Sequence, residues 1–293
     1  MIRHVKISRL WGQYEVDWQP HPDVNILVGI NGSGKSALLQ VIRAGLAHKT
    51  DEGLSYLDRA LSADNDISPC YAIRIEGDGI DVDIKTDVKE EGGRGAGHTE
   101  LNNSKVECEY DLVSTFDNIA SEKKALEQKL SPLAAQLDAV IFDTQRRSLN
   151  SYRLKATEDP GTGIRISKQL MKWIKVVNSF FAVTGKTLEM QGSNISFRQA
   201  DGTTVVLDQL SAGEKQLMII LISALVQDGS PFILLLDEPE ISLDIDWQYK
   251  LIETIRTLNP RCQLIIATHS PAVFGDGWSD KLFFTEDLLT KSA

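Results

Sequence analysis

The sequence predicts an α/β fold built on a parallel sheet, and three apolar stretches support that prediction. Residues 26–28 form a short apolar run that leads into a glycine-rich loop and then into a helix-compatible segment, 37–42. Residues 231–236 and 263–267 are apolar almost without interruption, which is typical of central strands that are buried on both faces. Shorter segments elsewhere predict an antiparallel β lobe and a small helical insertion.

The composition places the chain among ordinary globular proteins. Of its 293 residues, 42% are hydrophobic and 25% are charged. There is no apolar run of membrane-spanning length, no signal-peptide pattern and no metal-binding spacing among the three cysteines, so we expect a cytoplasmic protein without a membrane partner. The net charge is −10, but residues 51–117 alone carry 17 acidic and 6 basic side chains. A basic patch elsewhere remains compatible with nucleic-acid binding.

The first 50 residues predict strands at 2–9 and 14–18 before the strand that ends at Val28. The loop that follows, 29–36, fits the pattern G-x-x-x-x-G-K-S/T without a mismatch and in the required strand–loop–helix context. We therefore predict a nucleotide-binding loop followed by a helix to about Ala47.

The residue types of this loop explain the chemistry. Its glycines let backbone N–H groups turn towards a polyphosphate, and the N-terminal end of the following helix adds partial positive charge. Lys35 is expected to reach the β- and γ-phosphates, and Ser36 is expected to hold Mg²⁺.

Residues 51–131 predict a β-rich acidic insertion. We favour an antiparallel sheet over the core, with a dedicated acidic docking surface as the alternative. The predicted elements are a hairpin with strands at 71–76 and 80–85, a flexible glycine-rich loop at 90–97, a third strand at 105–112 and a charged helix at 118–130.

Residues 132–147 predict a return to the core, with a buried strand at 139–143 followed by Gln145. Residues 148–204 predict a helical insertion with connecting strands. Its predicted elements are a polar mobile loop at 148–163, an amphipathic helix at 165–181 and short strands at 186–190, 194–198 and 203–207.

The amphipathic helix carries a basic face. This basic stripe is predicted to be either a solvated outer face or a surface for nucleic acid or a partner. Its members are Arg165, Lys168, Lys172 and Lys175.

Residues 205–293 predict the second half of the core. Ser211 and Gly213 precede an apolar helix, 217–226, where a hydroxyl and unpaired N–H groups make an anion site, although such a segment is also an ordinary helix cap. Asp237 and Glu238 end an apolar strand. In parallel sheets ligands bind at the carboxyl ends of strands, so both carboxylates should lie beside the phosphate loop.

Each acidic residue then has an expected task. Asp237 is expected to reach the Mg²⁺ shell, and Glu238 to orient or deprotonate an attacking water. His269 follows the strand 263–267 and should reach the same edge of the sheet, near the γ-phosphate.

In this order, the motifs resemble those of ABC-type ATPase heads of the SMC/RecF/OLD branch, compact ATPases of the kind found in antiphage defence. The resemblance implies a single P-loop NTPase domain over 1–293 that uses ATP and Mg²⁺. It places catalysis at Glu238 and His269 and metal binding at Ser36, Gln145 and Asp237. The cofactor-binding residues that it implies are Asn31, Gly32, Ser33, Gly34, Lys35, Ser36, Ala37, Ser211, Gly213, Glu214 and Asp244.

The resemblance also implies a head-to-tail homodimer in which Ser211 and Gly213 act on the partner's ATP. We expect an ATP cycle that gates an effector, a nuclease or a toxin. A RecF-like DNA-binding ATPase is the alternative, and the ATP-binding subunit of a membrane transporter fits less well.

Three departures limit the resemblance. No long heptad segment separates Gln145 from Ser211, and about twenty residues follow His269, so a coiled-coil arm and an appended nuclease are not expected. Trp11 and Tyr14 stand near the position where several relatives have an arginine. We consider two roles for these aromatic rings, which are stacking on adenine or, as we favour, packing in the core.

Overall fold

The structure, a computed structural model, describes residues 1–47, 71–91, 94–114, 131–143, 147–192, 194–275 and 277–291, with the backbone alone described at 86–91 and 94–103. Within these ranges the strands are β1 (Ile2–Leu10), β2 (Tyr14–Trp18), β3 (Val24–Val28), β4 (Tyr71–Gly77), β5 (Ile80–Glu91), β6 (Arg94–Val106), β7 (Glu109–Ser114), β8 (Lys186–Gln191), β9 (Asn194–Gln199), β10 (Thr204–Val206), β11 (Phe232–Asp237), β12 (Cys262–Ala267), β13 (Leu282–Phe284) and β14 (Leu289–Lys291). The helices are α1 (Lys35–Leu46), α2 (Pro132–Phe142), α3 (Leu149–Leu154), α4 (Pro160–Phe181), α5 (Ala212–Leu225), α6 (Ile245–Leu258), α7 (Pro271–Phe274) and α8 (Thr285–Leu288).

The core is a parallel sheet in the order β13-β3-β12-β11-β7. β3, β11 and β12 are buried at every residue, as expected for strands that are covered on both faces. β12 is the middle strand, with Ile266 opposite Ile26 on one side and Leu236 on the other. The predicted α/β fold with a parallel sheet is confirmed.

Two hydrophobic layers cover this sheet. Side chains of β11 alternate between them, because successive residues of a strand point to opposite faces. Leu234 and Leu236 pack with α2, α4, α5 and α6, whereas Ile233 and Leu235 pack with α1 and a second sheet. The parallel sheet therefore lies between a helical layer and a β layer. Because apolar side chains cover both of its faces, polar groups lie at the ends of its strands.

The second sheet is antiparallel, in the order β14-β2-β1-β4-β5-β6. The predicted hairpin is present, with Gly77 opposite Ile80 and a left-handed Gly79 (φ 69°) in the turn. β8, β9 and β10 form a separate antiparallel sheet beside α4, close to the predicted strands. None of the helices in the described ranges is both long and apolar enough to cross a membrane.

Two predictions for the acidic segment are wrong. β7, predicted to be part of an antiparallel lobe, pairs in parallel with β11 at the edge of the core sheet, so the insertion ends before residue 109. The segment 90–97, predicted to be a loop, is mostly strand, because β5 and β6 stay paired as far as Glu91 and Arg94. The ladder between β5 and β6 is formed by backbone groups, which every residue in the segment other than proline can supply, whatever its side chain.

Two further predictions are wrong, because the segments predicted to be a strand and a loop are helical. The run 139–143, predicted to be a strand, forms the end of α2 and its C-cap Asp143. The helix begins with Ser131 as N-cap and Pro132 in the first turn. The predicted polar loop 148–163 contains α3 and the start of α4, whose N-cap Asp159 accepts a hydrogen bond from the Thr162 amide at 2.9 Å. In both places a proline lies in the first turn of the helix, where its missing N–H costs no helical hydrogen bond. The predicted helix at 118–130 lies outside the described residues.

Candidate nucleotide-binding site

Three strand ends meet at one edge of the parallel sheet. The Glu238 amide donates to the carbonyl of Ala267 at 2.8 Å, and the Thr268 amide donates to the carbonyl of Leu27 at 3.1 Å. These bonds continue the sheet just past β11 and β12, so the polar residues that follow both strands lie beside the loop that follows β3. The structure thus brings together three motifs. The first of them, the loop 29–36, lies more than 200 residues before the other two in the sequence.

The loop 29–36 wraps around its own lysine. Lys35 is only 4% exposed, and its Nζ donates to the carbonyls of Gly29 at 3.0 Å and Ile30 at 3.1 Å. Gly34 caps α1 in the left-handed region (φ 97°), while Asn31 and Gly32 are exposed. These two hydrogen bonds hold the loop closed around the ammonium group. The ammonium group has three protons, so it can also donate to a phosphate oxygen.

The environment of Lys35 is both buried and acidic. Burial lowers the pKa of Lys35 below its usual range, while the negative charges of Glu238 and Asp237, followed by Glu240 and Glu286, act in the opposite direction. A triphosphate brought to this position would add further negative charge next to the ammonium group. Because four carboxylates act on this one ammonium group, an anionic ligand here also requires a cation such as Mg²⁺ to balance the negative charge.

Ser36 and Asp237 form a pair of oxygen donors. Ser36 Oγ donates to Asp237 Oδ1 at 2.8 Å, and Asp237 is 5% exposed. Mg²⁺ takes one or two protein oxygens and fills its octahedral shell with water and phosphate oxygens. This pair suits such an ion. Gln145, the third predicted metal ligand, lies outside the described residues.

Glu238 and His269 face each other at the same edge. His269 Nε2 lies 3.3 Å from Glu238 Oε1, and both side chains are partly exposed, at 31% and 25%. Glu238 adopts φ 47°, a region that residues other than glycine rarely occupy. A carboxylate and an imidazole that are accessible and in contact can move a proton and orient a water molecule.

Glu240 is a site residue that the sequence did not reveal. Its Oε1 accepts from the His269 amide at 2.7 Å and from the Ser270 amide at 3.2 Å. Ser270 Oγ in turn donates to Gln248 Oε1 at 2.6 Å, and Gln248 Nε2 donates to the Leu243 carbonyl at 3.0 Å. Glu240 fixes the backbone that carries His269. The signal for it in the sequence is its position two residues after Glu238.

The segment around Ser211 is a helix start with a capping box. Ser211 Oγ accepts from the Glu214 amide at 3.2 Å, and Glu214 Oε2 accepts from the Ser211 amide at 2.9 Å. Burial alone would raise the pKa of Glu214, but hydrogen bonds from Lys186, Ser211 and Thr184 lower it overall. Ser211 itself is exposed at the start of the 14-residue helix α5.

Gly213 has a packing role within its own chain. It is buried, and a Cβ at this position would overlap the carbonyl oxygen of Ser242, which itself adopts φ 71°. The turn 242–244 therefore needs a glycine at 213 to approach α5. Asp244 ends this turn as the N-cap of α6 and accepts from the Asp246 amide at 3.0 Å.

Replacement of Gly213 by alanine is expected to displace this turn and to lower the free energy of unfolding by about 1–3 kcal/mol, because the new methyl group has no space. Urea unfolding of the two proteins measures the change. Gly277→Ala is the matched control, since a Cβ there meets no atom of the described residues within 4 Å. Equal stability of the Gly213→Ala variant and its parent would contradict the packing role.

Trp11 has the core role that we favour for it, and its ring also lies against the phosphate loop. Its ring packs on the hydrophobic layer beneath the antiparallel sheet and meets Tyr14 edge-on at a centroid distance of 6.0 Å. A Cβ at Gly34 would lie 2.8 Å from Trp11 Cη2, so the indole also covers the phosphate loop. The ring is a core aromatic that borders the site.

Comparison with known proteins gives the family. The family described as "AAA domain, putative AbiEii toxin, Type IV TA system" matches residues 110–275, more than half of the chain. This range contains Ser211, Asp237, Glu238 and His269 but begins after the phosphate loop. The "Putative hemin import ATP-binding protein HrtA" of Staphylococcus aureus (strain MRSA252) is 33% identical over 162 residues, which cover 51% of this chain and 68% of that protein.

Solved structures share the fold. An SmcHead bound to the C-winged helix domain of ScpA aligns with a TM-score of 0.57 and 18% identity, over 93% of this chain and 91% of that one. An Smc head domain with an extended coiled coil, bound to the C-terminal domain of ScpA and derived from Pyrococcus furiosus, aligns with a TM-score of 0.54 and 18% identity, over 93% and 90%. At this identity the likeness concerns the fold alone.

Proposed function

The chain belongs to the AAA-domain family of ATPases, and on that basis we propose that it is a switch that binds and hydrolyses ATP. The convergence of Lys35, Ser36, Asp237, Glu238 and His269 at one sheet edge is the observation that carries this proposal. A buried cation, an oxygen pair for Mg²⁺ and an accessible carboxylate–imidazole pair are the parts that phosphoryl transfer to water requires.

We assign the roles as follows. Lys35 and the amides of Asn31, Gly32 and Gly34 bind the phosphates, whereas the Ser33 amide donates to the Ile30 carbonyl at 3.1 Å within the loop. Ala37 lies in the first turn of the helix that follows. Ser36, Asp237 and Gln145 hold Mg²⁺, which when bound would neutralise charge on the phosphate oxygens. Glu238 accepts the proton of the attacking water, and His269 orients Glu238 or contacts the γ-phosphate.

We further propose that two chains assemble head to tail around ATP. The exposed position of Ser211 at the start of α5 supports this, because its hydroxyl group accepts from the Glu214 amide and still has a proton to donate to a phosphate of a neighbouring chain. Gly213, Glu214 and Asp244 then act mainly by shaping this surface, since each has a contact within its own chain.

The biological role that we propose is gating of an effector protein, a nuclease or a toxin, by a cytoplasmic ATP-dependent dimer in antiphage defence. The family description, which refers to a toxin and a type IV TA system, supports a link to such systems. A second candidate is a RecF-like DNA-binding ATPase, favoured by the exposed basic stripe of α4. Two of its members have other contacts, since Arg165 pairs with Asp228 and Lys172 donates to the Thr257 carbonyl at 2.6 Å.

Lys35→Met is expected to weaken ATP binding by about 10- to 100-fold, because charge-assisted hydrogen bonds to the phosphates are lost while side-chain length is kept. Titration calorimetry with ATP and Mg²⁺ measures the affinity, and phosphate release measures turnover. Lys175→Met, an exposed lysine of α4, is the control. If the parent protein neither binds nor hydrolyses ATP, the proposed function is wrong.

A further inference from the structure

A buried hydroxyl group joins the C-terminal part of the described chain to the phosphate loop. Thr285, the first residue of α8, has no exposed surface. Its Oγ1 lies 2.6 Å from Ser33 Oγ within the loop and 3.2 Å from the carbonyl oxygen of Val28, the last residue of β3. One side chain therefore bridges the strand before the loop and the middle of the loop itself.

The directions of these two hydrogen bonds follow from the donors available. A carbonyl oxygen can only accept, so Thr285 uses its single hydroxyl proton on Val28. The Ser33 hydroxyl must then donate to Thr285. The two hydrogen bonds run in one direction, from Ser33 to Thr285 and from Thr285 to the Val28 carbonyl, and each bond polarises the next. The Ser33 side chain is thereby fixed in one orientation.

The bridge occupies the space beside the first glycine of the loop. A Cβ at Gly29 would overlap Thr285 Oγ1 and would lie 2.6 Å from Ser33 Oγ. Glycine at 29 is thus required by the bridge as well as by the turn. The loop backbone at Gly29 therefore packs directly against Thr285, next to the residues whose amides we propose bind phosphate.

The same C-terminal segment contacts the loop a second time. A Cβ at Gly34 would lie 3.0 Å from Leu289 Cδ1, and Leu289 is held in β14 opposite Val16 of β2. Thr285 and Leu289 therefore contact the two ends of the loop from one side. Both residues lie outside every motif that marks the nucleotide site.

We propose that Thr285 is a positioning residue that holds the loop 29–36 in the shape required for ATP binding, and that the segment 285–291 thereby sets ATP affinity. The inference rests on the proposed function in that the ligand is ATP. Thr285 acts through Ser33 and the loop backbone and does not touch the ligand. Loss of the bridge removes one hydrogen bond to the Val28 carbonyl and frees Ser33, so the loop samples shapes that bind phosphate less well.

Thr285→Val keeps the shape of the side chain and removes the hydroxyl. The Kd for ATP and the KM are expected to rise about tenfold, with kcat at saturating ATP and the melting temperature without ATP close to those of the parent. Thr285→Ser restores the hydroxyl and is expected to restore the affinity. Thr290→Val is the matched control, because Thr290 lies in the same segment but donates to Glu15, away from the loop.

Ser33→Ala removes the other hydroxyl group of the bridge. Ser33 is only partly buried, so this variant keeps the proposal testable if Thr285→Val does not fold. It is expected to weaken ATP binding by a similar factor, and the double variant should be no worse than either single variant, because both remove one interaction. Parent-like ATP affinity in folded Thr285→Val, or in Ser33→Ala, overturns the inference and leaves the proposed function intact. Absence of ATP binding by the parent is instead a failure of the proposed function.

Discussion

Glu238→Gln is expected to lower the rate of ATP hydrolysis by about 10²- to 10⁴-fold, because glutamine has the shape of glutamate but cannot accept the proton of the attacking water. ATP affinity should change little, since the phosphate contacts that we propose come from Lys35 and the loop. Single-turnover phosphate release measures the first quantity, and calorimetry measures the second. With hydrolysis slowed, ATP is also expected to hold a larger fraction of the protein as the dimer.

The comparison variant is Glu253→Gln, which changes an exposed glutamate of α6 in the same chemical way. It should hydrolyse ATP at the parent rate. If Glu238→Gln also does so, Glu238 is not the proton acceptor, and another group near His269 has that role.

Ser211→Arg is expected to abolish the ATP-dependent dimer while ATP still binds to the separate chains. Ser211 is exposed at the N-terminus of α5, where we propose that it meets the partner's phosphates, and a long side chain there fills the space needed for that approach. Light scattering after gel filtration, with ATP and Mg²⁺, measures the mass. Turnover should fall with the dimer, because neither site is completed.

The arginine also removes a helix cap, which costs about 1 kcal/mol by itself. Ser211→Asp separates the two effects, since aspartate keeps the cap but repels the partner's phosphates. Ser279→Arg places the same side chain at another exposed serine and should leave the dimer unchanged. A normal dimer in both Ser211 variants contradicts the head-to-tail arrangement.

Mixing the two inactive proteins gives the sharpest result. Ser211→Asp is the suitable partner for Glu238→Gln, because its short side chain, unlike arginine, leaves room for the mixed pair to close. In a head-to-tail pair of one Glu238→Gln chain and one Ser211→Asp chain, one site receives both substitutions and the other receives neither. The mixture is therefore expected to regain turnover that neither protein shows alone. An arrangement in which Glu238 and Ser211 serve the same chain's ATP predicts no recovery.

The sequence predicted the centre of the site because its parts have local signatures. The phosphate loop is a contiguous glycine pattern between β3 and α1, and Asp237 and Glu238 directly follow a fully apolar strand. His269 was placed at the same edge by the general geometry of parallel sheets. The structure does bring these groups together.

Features that depend on distant contacts were not predictable. β7 joins the core sheet because of what lies beside it, and no residue in 109–114 distinguishes it from an antiparallel strand. Thr285 meets Ser33 across 252 residues, and Glu240 holds the His269 amide across 29. A buried threonine and a glutamate after a proline are common in any chain, so only the fold reveals what they contact.

The left-handed backbone conformation of Glu238 affects how the stability of this protein can be engineered and how its sequence can evolve. A glutamate held at φ 47° costs about 1–3 kcal/mol relative to a relaxed conformation, whereas glycine adopts the same angles with little penalty. Selection for thermal stability alone would therefore favour glycine at 238, and selection for ATP turnover would remove it. The position is one where a more robust protein and a more active one call for different residues.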